Sequence, residues 1–135
     1  MFEALWDAGD DLAELSFTAL DDAGGVIGHA TASKATVATD AVVAVGPIGV
    51  LPEHQGGGIG SALMHALLSA ADAAHVPLVV LLGAPQFYGR FGFRPAEEFG
   101  VLSPEPEWGA AFQARRPSAG TESPAGPFRY APAFS

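Results

Sequence analysis

Apolar and polar positions alternate between residues 12 and 20, with Leu15, Phe17 and Ala19 on one side and Ser16 and Thr18 on the other. A two-residue period is that of a β-strand. The cluster Asp21-Asp22-Ala23-Gly24-Gly25 then marks a turn, and residues 26–32 read as the returning strand of a hairpin. A third strand, beginning at Ala38 or Asp40 and running to Val45, extends the hairpin into a meander. Residues 1–11 show no regular period and read as an extended lead-in.

The pattern changes after Val45. Pro47 has no N–H to give a ladder, and Gly46 and Gly49 weaken pairing, so this segment is expected to bulge or splay from its neighbour. Its freed backbone groups then need other partners. From residue 58 to 74 the period becomes helical: Ile59, Leu63, Leu67, Ala70 and Ala74 share an apolar arc, opposite Ser61, His65, Ser69 and Asp72. Pro77 ends this segment, and the uninterrupted apolar run 78–82 predicts a strand buried on both faces. Strand, loop, helix and strand make a right-handed βαβ unit with parallel strands. Gly83-Ala84-Pro85 breaks the chain again, and a short helix follows, closed by Gly92. Beyond Pro95 the periodicity fades. Short pieces are expected at Val101-Leu102 and over 108–116, a loop over 117–127 and a last strand over 128–131. The expected architecture is α/β: a mixed, mostly antiparallel twisted sheet with a central parallel βαβ splay and flanking helices.

The 135 residues suit a single domain, 1–135, with one sizeable core. The formal charge of −9, with only six Lys and Arg, excludes nucleic-acid binding through a basic surface. With no cysteine, disulfides and thiol catalysis by the protein are excluded. No apolar run reaches the roughly 18 residues a membrane helix needs, and the acidic start carries no basic signal segment, so the expected compartment is the cytoplasm. The four histidines lack metal-ligand spacing, and no metal is expected.

The chemistry concentrates between the third strand and the helix. Gly56, Gly57, Gly58 and Gly60 stand at a helix N-terminus, where unobstructed N–H groups and the helix dipole favour an anion, most often phosphate. Three phosphate loops compete for this pattern. A P-loop requires Lys-Ser/Thr after its last glycine, whereas Ser61-Ala62 follows Gly60. A dinucleotide fingerprint fails because its third glycine position is Ser61 or Leu63, and no acidic residue ends a strand some twenty residues on. The third pattern, Gln55-x-x-Gly58-x-Gly60 after a strand carrying Gly46, Pro47 and Gly49, resembles the acetyl-CoA pyrophosphate loop of the GCN5-related N-acetyltransferase (GNAT) superfamily. About thirty residues later, Tyr88-Gly89-Arg90-Phe91-Gly92-Phe93 resembles the Tyr-x-x-x-Gly-Phe motif of the same enzymes. Together with the ending Arg129-Tyr130-x-Pro132-x-Phe134, these motifs are similar to those of the YhbS-like bacterial subgroup. The resemblance covers about residues 12–93 and the last strand.

What the resemblance implies is direct acetyl transfer from acetyl-CoA, as co-substrate, to a primary amine. By position, the backbone of Ile48, Gly49 and Val50 binds the pantetheine arm and holds the thioester carbonyl. The backbone of Gln55, Gly56, Gly57, Gly58, Ile59, Gly60 and Ser61 holds the pyrophosphate. Tyr88 contacts the cofactor near its sulfur and protonates the leaving thiolate, for which a phenol with pKa near 10 is suited at neutral pH; the competing reading packs it as a core aromatic with Phe87, Phe91 and Phe93.

The general base is not assigned. Several family members carry a glutamate on the strand before the loop, where this chain has Val43, Ala44 and Val45. His29 is a weak candidate, Glu53 and His54 weaker ones, and His65 and His75 read as surface groups. Family members also begin with a strand and two helices ahead of the hairpin, and only about eleven residues precede it here. The expectation is a truncated chain, or an acceptor side completed by another subunit. An open sheet edge would favour a homodimer. The alternative function is a non-catalytic acyl-CoA-binding or interaction module with a degenerate acceptor site.

Overall fold

The computed structural model describes residues 2–7, 14–116 and 124–130. Strands β1 (Phe2–Asp7), β2 (Glu14–Leu20), β3 (Val26–Val37) and β4 (Asp40–Val50) form an antiparallel meander. Helix α1 (Ile59–Ala73) crosses over to β5 (Val79–Leu82), which runs parallel to β4. The short helix α2 (Pro85–Tyr88) continues into a 3-10 turn, Gly89–Phe91. The strands β6 (Arg94–Pro95), β7 (Val101–Leu102), β8 (Phe112–Arg115) and β9 (Gly126–Tyr130) follow. The sheet order is β1-β2-β3-β4-β5-β8-β6, and β9 pairs with both β3 and β7. This is the mixed, mostly antiparallel sheet with a parallel βαβ unit at its centre that the sequence predicts.

Two apolar layers sandwich the sheet. Leu63, Met64, Leu67, Leu68 and Ala71 of α1 are buried against Phe17, Ala19, Ala30, Ala32, Val43, Val79 and Leu81. The buried stripe is therefore centred one helical step from the predicted arc: Ala74 is exposed, whereas Met64, Leu68 and Ala71 are inside. On the opposite face Val37, Val42, Ala44, Leu78 and Val80 pack with Val101, Phe112 and Phe128. Burying each of these large side chains contributes about 2 kcal/mol. Strand β5 is buried on both faces through Leu81, as its apolar run requires, but Leu82 is 45% exposed.

Three element boundaries differ from the sequence reading. Residues 2–7 are not a lead-in but a strand paired with β2 in an unbroken register, Phe2 opposite Ala19 through Asp7 opposite Glu14. Strand β3 runs on to Val37, because the residues past Ala32 find partners on both edges, β4 on one and β9 on the other. Strand β4 continues past Pro47 to Val50. The extra residue is absorbed as a bulge: Ala32 faces Val45 and Ala30 faces Ile48, leaving Gly46 and Pro47 opposite Thr31 alone. A Cβ at Gly46 would overlap Thr31 Oγ1, so the close approach of the two strands requires glycine there. The predicted loop falls largely on residues 117–123, outside the described residues.

Candidate functional site

The site is built from a failure of pairing. Strands β4 and β5 meet only at Val43–Val79 and Ala44–Val80. Past that point β4 follows β3 through its bulge, while Leu81 and Leu82 of β5 follow β8. The two edges diverge and open a cleft of ≈ 440 Å³ lined by Ser33, Ala44, Val45, Gly46, Leu81, Leu82 and Tyr88.

Ladder phase decides what β4 presents to this cleft. Leu51 N–H donates to the Ile27 carbonyl at 2.9 Å, and Gly49 is two residues back in the same register, opposite His29. In an antiparallel ladder the residues between such pairs turn their N–H and C=O outward. Ile48 and Val50 thus direct their backbone groups away from β3, towards the side where β5 has separated. The Val50 carbonyl accepts a hydrogen bond from Gln55 Nε2 at 3.0 Å, which ties the end of β4 to the following loop.

That loop opens α1 without a cap. Gly58 stands at the N-cap with φ 85°, Gly56 has φ 83°, no side chain caps the helix, and its first turn holds no acidic residue. The first helical bond is Ala62 N–H to the Gly58 carbonyl at 3.0 Å. The N–H groups of Ile59, Gly60 and Ser61 precede it and have no acceptor within the helix. These donors border a second cavity, of ≈ 350 Å³, shared by Val50, Gln55, Gly56, Gly58, Gly60 and Ser61 with His54, Phe87 and Arg90. Dipole and bare donors together suit an anion.

Tyr88 closes α2 at the cleft wall. Its ring lies edge-on to Phe87 and Phe93, with centroids 4.9 and 6.1 Å away, and sits over Gly83, where a Cβ would overlap it. Half-burial pushes the phenol pKa above its ordinary value by desolvation. Gly83 itself is pinned, its N–H donating to the Ala111 carbonyl at 2.9 Å and its carbonyl accepting from buried Gln113 Nε2 at 3.0 Å. The tyrosine thus packs among aromatics and also lines the cleft.

The other candidates divide clearly. His29 is exposed and lines a separate apolar hollow with Val26, Gly49, Leu51 and Pro52, so it does not meet Tyr88 in the cleft. Glu53 is exposed, and His54 borders the loop cavity rather than the cleft. His65 is exposed with its ring 5.1 Å from Phe91, and His75 is exposed after α1. Among the described residues no cluster of His, Cys, Asp and Glu could hold a metal. Sequence reasoning passed over Arg90, Gln113 and Ser33. Arg90 carried a signal, since it is one of six basic residues and lies inside the second motif; Gln113 carried a fainter one, a lone amide within an apolar stretch.

Residues 13–95 match the model of the acetyltransferase (GNAT) domain. The chain belongs to the GNAT acetyltransferase family. It is 32% identical over 109 residues to the uncharacterized N-acetyltransferase YhbS of Escherichia coli K12, covering 79% of this chain. The match spans 65% of that relative's length. Among solved structures, the fold is similar to E. coli YhbS in complex with CoA (TM-score 0.80, 29% identity, 89% of this chain and 68% of that one). It is also similar to a GNAT family acetyltransferase from Brucella melitensis in complex with acetyl-CoA (TM-score 0.69, 32% identity, 90% and 68%).

Proposed function

We propose that the protein is an N-acetyltransferase that carries an acetyl group from acetyl-CoA to a primary amine by direct attack on the thioester. The observation that carries this reading is the presence of three features in one site region: the uncapped glycine entry to α1, the outward backbone of Ile48 and Val50, and Tyr88 at the cleft wall. The GNAT relatives with CoA and acetyl-CoA bound support it.

In this reading the N–H groups of residues 56–61 hold the pyrophosphate, and the outward groups of Ile48 and Val50 pair with the pantetheine amides as an extra strand would. In the same reading the Val50 N–H steadies the developing oxyanion, with no reorganisation during the reaction. The neutral amine forms the C–N bond and the C–S bond breaks. Tyr88 donates its proton to the departing sulfur and regains one from solvent, the amine nitrogen loses one to solvent, and the products are an amide and CoA thiol. A raised phenol pKa keeps that proton in place through neutral pH. The reading assigns no general base, since Val43, Ala44 and Val45 stand on β4 where several family members carry a glutamate.

We place this activity in the cytoplasm, where acetyl-CoA is available. A second copy across the β1 edge, terminal in the sheet among the described residues, gives a homodimer. Calorimetric titration with acetyl-CoA and CoA, followed by thiol release over an amine panel, tests the function. Binding with amine-dependent release is expected. Binding without release from any amine would favour the acyl-CoA-binding module, and no binding would overturn the assignment of residues 55–61.

A further inference from the structure

We propose that Arg90 is a phosphate-binding residue of this site, supplying the cationic wall opposite the backbone donors of the glycine loop. The proposal rests on the reading that the cleft takes a CoA thioester. Arg90 borders the same ≈ 350 Å³ cavity as Gly56, Gly58 and Gly60. None of the other five Lys and Arg lines it: Lys34, Arg94, Arg115, Arg116 and Arg129 all lie elsewhere.

The side chain is held but not neutralised. Its guanidinium carbon sits 4.7 Å from the centroid of the Phe87 ring, and its Nε–H donates to the Phe87 carbonyl in a long bond of 3.4 Å. Both restraints come from three residues back in the chain. The arginines that pair with acids among the described residues are Arg94, with Glu98, and Arg115, with Asp72. Arg90 pairs with no carboxylate among them. Stacking and a single backbone bond leave the terminal amino groups free among the described residues, and that fork matches the spacing of phosphate oxygens. A chain of net charge −9 repels a polyanionic ligand at long range, so one fixed cation beside the α1 dipole has a large share in local attraction.

Two phosphates of a CoA thioester could meet this arginine, the diphosphate bridge or the 3′-phosphate, and the test separates them. Titrations of CoA, 3′-dephospho-CoA and S-acetylpantetheine into wild type, Arg90→Gln and Arg90→Lys are compared at two salt concentrations. Because Arg90 is exposed, its replacement leaves the core intact, which thermal unfolding checks. Arg90→Gln is expected to weaken CoA binding about fivefold to tenfold, with a flatter salt dependence and unchanged binding of S-acetylpantetheine. Arg90→Lys, which keeps the charge without the fork, falls between. Equal losses for CoA and 3′-dephospho-CoA assign the contact to the diphosphate; a loss confined to CoA assigns it to the 3′-phosphate. If wild type binds CoA and Arg90→Gln binds it equally well, this proposal is overturned alone. If wild type binds no CoA, the acyltransferase reading fails and takes the proposal with it.

Discussion

The Tyr88 ring occupies the space that a side chain at Gly83 would fill. Gly83 cannot easily yield, because Ala111 holds its N–H and Gln113 its carbonyl. Any residue larger than glycine must therefore push the tyrosine along the cleft wall. Gly83→Ala is expected to lower kcat by as much as about a hundredfold, the scale of a 1 Å misplacement of a reacting group. The affinity for CoA, governed by the loop on the other cavity, should stay within about twofold. A parallel loss of CoA affinity would show that the damage spreads beyond Tyr88.

Desolvation raises the Tyr88 pKa, and the sign of the consequence is fixed. The proton is bound more tightly in the folded chain than in the unfolded one, whose phenol titrates near 10. Stability from this group is complete below about pH 10 and is lost as pH rises through the higher folded value. Acid catalysis by Tyr88 likewise persists to that limit. Wild type should show no falling limb of kcat below about pH 10 from this residue. Tyr88→Phe should lower kcat by about a hundredfold or more while keeping CoA binding. Full activity in Tyr88→Phe would leave the residue only its packing against Phe87 and Phe93.

How much of this was legible beforehand depended on whether a signal was local. The Gln55–Gly60 loop, the extent of α1 and the Gly92 cap depend on residues adjacent in the chain, and each appears where its pattern lies, although the buried stripe of α1 is shifted by one helical step. Strand β1 was missed because its partner alternation lies in β2, and a strand whose stability comes from a neighbour need carry little period of its own. The far end of β3 was cut short for the same reason, since β9 comes some ninety residues later. Pro47 argued against a continuous strand, yet the bulge opposite Thr31 lets β4 pass it. Arg90 and Gln113 matter through what they face across the fold, which no spacing in the sequence encodes.

The two left-handed glycines of the loop give a prediction that separates conformation from ligand contact. Gly56 and Gly58 both have positive φ, and both have open space where a Cβ would go. Gly58→Ala should cost about 1–2 kcal/mol in stability from backbone strain alone, seen as a lower Tm. Because Gly58 sets the first turn of α1, CoA affinity should fall as well. Gly60→Ala is the control: its backbone is not left-handed, and a Cβ would meet Val50 Cγ2 and Phe87 Cζ only at 3.9 and 4.0 Å. Its Tm should be nearly unchanged, so any loss of CoA binding there reports a methyl group in the path of the ligand.

The bulge can be tested by creating a collision and then removing it. A Cβ at Gly46 overlaps Thr31 Oγ1, whereas the next nearest atoms, the Thr31 carbonyl oxygen and Cβ, lie at an ordinary 3.5 and 3.7 Å. Gly46→Ala should therefore destabilise the chain by about 1–3 kcal/mol, the usual cost of overpacking. Adding Thr31→Ala deletes the colliding oxygen and should restore most of that loss, giving a coupling energy above about 0.5 kcal/mol in a double-mutant cycle read by urea unfolding. Gly46 also borders the cleft, so activity provides a second readout. If the double variant regains stability but not turnover, the methyl group obstructs the cleft itself. If the two substitutions are simply additive, Thr31 is not what holds residue 46 to glycine, and the bulge must be maintained by Pro47 and the divergence of β5.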